Sequence, residues 1–165
     1  QRQMCIRDRV EETIEAFAAL RAHGKIRAWG VSNFDLEDMR GLPEGCAANQ
    51  VLYNPQSRGI EFDLLPWCQA RGIPVMAYTP LGQHNKVLEN AAVKAVAAAH
   101  GATPGQVALA WGLRQEGVVS IPKTGHAARI EENLGALKLQ LTPEDLAAID
   151  RAFAPPKRAV PLAML

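Results

Sequence analysis

Short apolar runs alternate with helix-length segments along this chain, and that alternation restricts the possible folds more than any other feature. Ile26 to Val31, Asn49 to Tyr53, Pro74 to Tyr78 and Val118 to Ile121 read as strands. Ahead of the first, Val10, Ile14, Phe17 and Ala18 share one helical face, with Glu11 and Glu12 in the first turn and Gly24 past the end. Asp35 is placed to cap a short helix through about Arg40, and Pro43 to Gly45 turn the chain. Leu64 to Ala70 is predicted helical and stops at Gly72, and Ala91 to His100 stops at Gly101. Thr103-Pro104-Gly105-Gln106 has the form of a capping box with proline at the first helical position. Ala127 to Leu137 is a further helix, and Thr142-Pro143-Glu144-Asp145 opens a last one running to about Phe153. Strands this short and apolar, each separated from the next by a helix, require a parallel sheet covered by helices. No Gly-x-Gly-x-x-Gly follows a strand, so the dinucleotide fingerprint of the doubly wound fold is absent. Periodicity alone leaves a barrel and an open sheet both standing.

Composition narrows the function classes. With 165 residues, 48% of them hydrophobic, the chain can bury a sizeable core. A net charge of +1 gives no electrostatic case for nucleic acid or an anionic membrane as partner. No apolar run is long enough to span a bilayer, and no secretory pattern opens the sequence. Cys5, Cys46 and Cys68 are odd in number and lack metal-ligand spacing, which suits free thiols in a cytoplasmic protein. Gln1 to Arg9 is polar, carries three arginines and shows no period. It is expected to be a non-native or disordered tail over 1–9, leaving 10–165 as the folding unit. A non-native start would mean that the protein extends further upstream.

The ends of the predicted strands carry the polar chemistry. In order they offer Ser32-Asn33, Gln50, Tyr78-Thr79-Pro80-Leu81-Gly82 and Ile121-Pro122-Lys123-Thr124. Ser, Asn and Gln side chains mix donors and acceptors and so suit an amide ligand, but they suit helix capping and internal hydrogen bonds equally. Tyr78 supplies an aromatic plane, or a core ring with a satisfied hydroxyl. Arg129, Glu132 and Asn133 recur at i, i+3 and i+4 on one helix, with Lys123 and Thr124 just before its start. Two cations, a hydroxyl and a helix N-terminus make a phosphate site; the plainer alternative is a solvated face with an Arg129–Glu132 pair.

These motifs, in their joint order and spacing, resemble the aldo-keto reductase family from about Val10 to Pro156. Gly30-Val31-Ser32-Asn33-Phe34 carries the likeness, and Asn49-Gln50-Val51-Leu52-Tyr53 and Leu64-Leu65-Pro66-Trp67-Cys68 are similar to bacterial members of the methylglyoxal reductase type. The resemblance implies an α/β fold, the C-terminal half of a (β/α)8 TIM barrel with about four parallel strands and outer helices. It implies NADPH/NADP+ as coenzyme. Ser32, Asn33 and Gln50 would take the nicotinamide carboxamide, and Tyr78 would stack on the ring. Thr79, Leu81 and Gly82 would approach the pyrophosphate. Lys123, Thr124 and Arg129 would hold the adenosine 2′-phosphate, with Glu132 and Asn133 on the adenine. Gln83-His84-Asn85-Lys86 stands where relatives carry a longer loop over the pyrophosphate.

The family's catalytic residues are a Tyr acid, a Lys, an Asp and a His, and they belong to the first half of its barrel. None of His23, His84, His100 and His126 matches that role. The resemblance therefore implies reduction of a small carbonyl substrate, an aldehyde or ketone, by a complete protein expected to be monomeric. The 165-residue chain alone is expected to be inactive and to self-associate through open sheet edges. The alternative is a non-catalytic, nucleotide-binding or regulatory half barrel.

Overall fold

The computed structural model describes residues 9–165. The tail predicted over 1–9, with Cys5, lies outside the described residues apart from Arg9, whose guanidinium meets Glu12 at 2.8 Å. The described chain folds as α1 (Val10–Ala22), β1 (Trp29–Ser32), α2 (Leu36–Arg40), β2 (Cys46–Leu52), α3 (Leu64–Gln69), β3 (Val75–Tyr78), α4 (Ala91–Ala99), α5 (Pro104–Leu113), β4 (Val118–Ser120), α6 (Ala127–Gly135) and α7 (Pro143–Ala152). Single 3-10 turns occur at Gly59–Glu61 and Ala136–Lys138. The four strands form one parallel sheet in sequential order. Sequential parallel strands joined by helices are the repeating unit of a (β/α)8 barrel, and these four units make a partial one.

Register decides what each face of the sheet does. Val31, Asn49, Val75 and Val118 stand level across the four strands. On this helix-covered side Val51, Val75 and Ala77 have no exposed surface. They pack with Cys68, Val93, Val107 and Trp111 of the surrounding helices in one continuous core. Each such valine contributes roughly 1.5–3 kcal/mol relative to exposure. One position along, Ser32, Gln50, Met76 and Val119 form the matching row on the concave side. That row is not covered in the same way: Gln50 and Met76 are half-buried and Val119 is 47% exposed.

The strand ends differ from the sequence expectation for local reasons. β1 begins at Trp29 rather than Ile26. Lys25 still donates to Leu20 O at the end of α1, and the strand starts only where Trp29 stacks on Phe17, with ring centroids 6.0 Å apart. The β1–β2 pairing shifts between Trp29 and Val31, and a Cβ on Gly30 would lie 2.7 Å from Ala48 O, so the irregularity needs glycine. β2 starts earlier than predicted, at Cys46, because Cys46 pairs with Trp29 although Ala47 and Ala48 are weak strand formers. The last predicted helical turn before Leu137 tightens to 3-10 geometry beyond Gly135. The capping boxes at Asp35, Thr103 and Thr142 all form.

A buried polar clamp ties the C-terminal helix to this scaffold. Arg58, after β2, has a side chain only 5% exposed. Its Nε and Nη2 donate to Glu61 Oε2 at 3.0 and 2.8 Å, and its Nη1 donates to Asp150 Oδ1 and Phe153 O, both at 2.6 Å. Arg114 reaches Glu61 Oε1 at 3.2 Å, and the Tyr53 hydroxyl donates to the same oxygen at 2.6 Å. Both guanidinium groups lie over the Trp111 ring, Arg58 at 5.0 Å and Arg114 at 3.9 Å. Burial alone would weaken the charge on Arg58, but Glu61 and Asp150 outweigh it and raise its pKa. Arg58→Ala leaves Glu61 buried without its main partner and should cost about 3 kcal/mol or more in urea denaturation. A loss below about 1 kcal/mol would show that the clamp is dispensable.

A second polar link joins α4 to α7. His100 Nε2 lies 2.7 Å from Asp145 Oδ2, which also accepts from Thr142 N at 2.8 Å. Burial tends to raise the Asp145 pKa; the Thr142 N–H and the His100 imidazole overcome it and lower the value. A carboxyl whose folded pKa lies below its unfolded one adds stability above the unfolded value, about 3.9, and loses it as pH falls through the folded value. Asp145→Asn should therefore flatten the acid limb of the stability profile below about pH 4. An unchanged acid limb in denaturation at stepped pH would remove Asp145 from the account.

Candidate coenzyme site

Gln50 O is the hub of the rim. The Ser32 hydroxyl donates to it at 3.1 Å and the Asn33 N–H at 2.9 Å. Asn33 takes φ +57°, a left-handed conformation that asparagine tolerates better than most residues. The kink ends β1, buries Asn33 and leads into the Asp35 cap of α2. Beneath it Asn49 Nδ2 donates to Phe34 O at 2.8 Å, which pins the chain after the kink. The sequence therefore delivers Ser32, Asn33 and Gln50 to one place through backbone geometry as well as strand order. Among the described residues, no hydrogen bond engages the Gln50 carboxamide, which faces an open groove of about 760 Å³. Ser32, Asn33 and Met76 line the same groove, closed on one flank by Ile14 and Phe17 of α1 and at one end by Met164 and Leu165.

Tyr78 ends β3 level with Leu52, two positions beyond the Gln50 row. Its half-buried hydroxyl donates to Asn33 Oδ1 at 3.0 Å. The family resemblance gives a task to the ring alone, whereas the fold also gives the hydroxyl a partner 45 residues earlier and so sets which way the Asn33 carboxamide points. The turn that follows is constrained at both ends. Thr79 takes φ +52°, an uncommon conformation for a β-branched residue, at a cost of roughly 1–3 kcal/mol. Gly82 takes φ +76°, and a Cβ there would lie 2.4 Å from Val87 Cγ2. Gln83-His84-Asn85-Lys86 then turns down through His84 and Asn85, both at positive φ, and seats fully buried Val87 beneath Gly82.

The predicted phosphate cluster sits apart, around the start of α6. Helices α2, α3, α4, α5 and α7 begin with a side-chain cap, from Asp35, Asp63, Asn90, Thr103 and Thr142; α1 and α6 begin without one. Thr124 Oγ1 accepts from His126 N at 3.1 Å, and Lys123 and Arg129 are exposed beside that terminus. Glu132 does not pair with Arg129. Its Oε1 accepts from the Thr103 hydroxyl at 2.7 Å, and its carbonyl accepts from Gln106 Nε2 at 2.8 Å, so it belongs to the α5–α6 contact. Asn133, one residue on, is half-buried. Leu81 lies near Gly105 at the start of α5, between the two clusters.

The polar positions that the sequence left unassigned are Asn49 and Asn54. Asn54-Pro55 is a turn signal in its own right, but its partner across the fold is not. Neither Cys46 nor Cys68 offers a ready nucleophile: burial pushes both thiols up, Cys68 to about 11.

Residues 5–154 match the model of the aldo/keto reductase family. Methylglyoxal reductase YeaE of Escherichia coli is 48% identical over 94% of this chain and 58% of its own length. Glyoxal reductase of Bacillus subtilis is 36% identical over 87% of this chain and 52% of its own. The crystal structure of an aldo/keto reductase from Klebsiella pneumoniae, in complex with NADP and acetate, superposes with a TM-score of 0.89 at 46% identity over 93% of this chain and 58% of that one. The chain belongs to the aldo/keto reductase family. It spans little more than half the length of the curated relatives it matches.

Tyr78→Phe removes one part-buried hydrogen bond and should lower stability by about 1 kcal/mol, with Tyr78→Ala costing more because ring contacts go as well. Equal stability of wild type and the Phe variant in chemical denaturation would mean that the bond to Asn33 contributes nothing.

Proposed function

We propose that this chain supplies the coenzyme-binding part of an NADPH-dependent carbonyl reductase, acting in the complete protein on small aldehydes of the methylglyoxal kind. The observation that carries this is the gathering of Ser32, Asn33 and Gln50 on one carbonyl oxygen, with the Gln50 carboxamide presented to the open groove. Such a set can donate to and accept from a ligand amide at once, and in this respect the residues fit a nicotinamide. When bound, the reduced nicotinamide supplies a hydride to the substrate carbonyl carbon.

The chain's own residues bind and orient. Tyr78 would flank the ring, its hydroxyl steadying Asn33. The Thr79–Leu81–Gly82 turn offers backbone to the pyrophosphate, and glycine at its end allows close approach. The uncapped start of α6, with Lys123, Thr124 and Arg129, suits the 2′-phosphate through helix dipole and charge. Glu132 and Asn133 would meet the adenine, Glu132 being already steadied by Thr103. The concave face of the sheet shields the groove on one side only. The proton for the developing alkoxide is assigned to the family's Tyr–Lys–Asp–His set, outside this chain. Support for the substrate class comes from the methylglyoxal and glyoxal reductases among the relatives. Support for the coenzyme comes from the Klebsiella complex with NADP.

Coenzyme choice is the direct test. Arg129→Ala deletes one charge-assisted contact to a 2′-phosphate, worth about 1.5–3 kcal/mol or roughly 10–100-fold. NADPH affinity, measured by fluorescence titration, should fall by that factor while NADH affinity stays nearly constant. Equal losses for both would overturn the assignment of the 2′-phosphate to α6. Turnover of methylglyoxal by the 165-residue chain alone would move the general acid into the residues described above.

A further inference from the structure

The Thr79–Gly82 turn is held in an unfavourable conformation, and one side chain from another strand holds it. Thr79 is β-branched, stands before Pro80 and takes φ +52°. Residues before proline favour extended backbone, and β-branched residues avoid the left-handed region, so two local preferences oppose what is observed. The turn's own hydrogen bond, Gly82 N donating to Thr79 O at 3.0 Å, is set by Pro80 and Leu81 between them, whereas the conformation of Thr79 sets how that turn is hung on the end of β3. The second donor to Thr79 O is Asn54 Nδ2, also at 3.0 Å.

Asn54 is suited to that task. It is 1% exposed and follows β2, 25 residues away in sequence. Its Oδ1 accepts from Gln56 N at 2.9 Å and Ser57 N at 3.0 Å, and its backbone bridges to Ser57. The carboxamide is thus anchored at its oxygen end by its own loop, and its nitrogen end is aimed at Thr79. We propose that Asn54 is a positioning residue that locks the strained Thr79–Gly82 turn, so that the backbone offered to the coenzyme pyrophosphate is in place before the coenzyme arrives. Without it Thr79 relaxes toward extended backbone, the turn loses its fixed orientation on β3 and frays, and ordering it becomes a cost of binding. The proposal rests on the coenzyme reading of this turn.

Three variants of the 165-residue chain test it. Asn54→Asp keeps an oxygen for Gln56 and Ser57 and, when ionised, sets a second carboxylate oxygen against Thr79 O in place of the donor, so the loop after β2 has its anchor while the turn is repelled. Asn54→Ala deletes both ends. Thr79→Gly in the Asn54→Ala background lets residue 79 take positive φ without help. Fluorescence titration with NADPH and hydrogen exchange at the Gly82 amide are the readouts. Both Asn54 variants should weaken NADPH roughly tenfold or more and speed Gly82 exchange, and Thr79→Gly should recover most of the affinity lost in Asn54→Ala. Wild-type affinity and exchange in Asn54→Ala would overturn the proposal, because the donor would then be holding nothing. Failure of Thr79→Gly to rescue would overturn it too, reducing Asn54 to a general structural residue. If the unsubstituted chain binds no NADPH, the coenzyme reading fails separately, and Gly82 exchange in Asn54→Ala still decides whether Asn54 holds the turn.

Discussion

The parallel register across the four strands is the constraint on which the rest depends. Setting Ser32 beside Gln50, Gln50 beside Met76 and Met76 beside Val119 places all four on the concave side. The neighbouring row of Val31, Asn49, Val75 and Val118 then faces the helices. A slip of one residue would exchange the two rows, burying Gln50 among helices and exposing valines. The burial of Val51, Val75 and Ala77 against α3, α4 and α5 opposes that slip. The polar rim is therefore positioned by hydrophobic packing on the opposite face of the same strands.

At the rim, local strain is balanced by bonds from elsewhere in the fold. Asn33 and Thr79 both sit at positive φ, and each is met by a side chain from a distant strand or its following loop: Tyr78 on Asn33, Asn54 on Thr79. The backbone around Asn33 is held further by Gln50 O and by Asn49 on Phe34 O. Strained residues held in this way cluster where a ligand must meet a fixed surface. The stretch from Gln83 to Val87 continues the pattern, since two more residues at positive φ bring Val87 under Gly82.

Polar burial elsewhere serves attachment. Arg58 and Arg114, stacked on Trp111, join the loop after β2 to α5 and α7 through Glu61 and Asp150, and His100–Asp145 joins α4 to α7. These links hold the outer layer to the sheet. The α6 helix is attached differently, through Glu132 to Thr103 and Gln106, while Ile130 and Leu134 on it, and Leu137 in the 3-10 turn that follows, stay more than half exposed. Its N-terminus is left uncapped, the arrangement a phosphate would complete.

Much of this was legible in the residues themselves. The order of strands and helices, the cap at Asp35, the capping box at Thr103, the helix start at Thr142 and the family motifs are local patterns, because caps and periodicity are set by neighbours within a turn or two. Ser32 and Asn33 could likewise be named from sequence, since they end an apolar run, whereas Gln50 lies inside β2 and is named through the family motif. The start of β1 at Trp29, the early start of β2 at Cys46 and the register shift at Gly30 could not, because they depend on what pairs across the sheet. The partners of Glu132, Tyr78, Arg58 and Asn54 lie 29, 45, 92 and 25 residues away. The sequence by itself determined the elements, the family and the chemical character of the rim. Tertiary structure decided which carbonyl each donor reaches and which strained turn each side chain holds, because those pairings exist only once the parallel register has brought separate strand ends together.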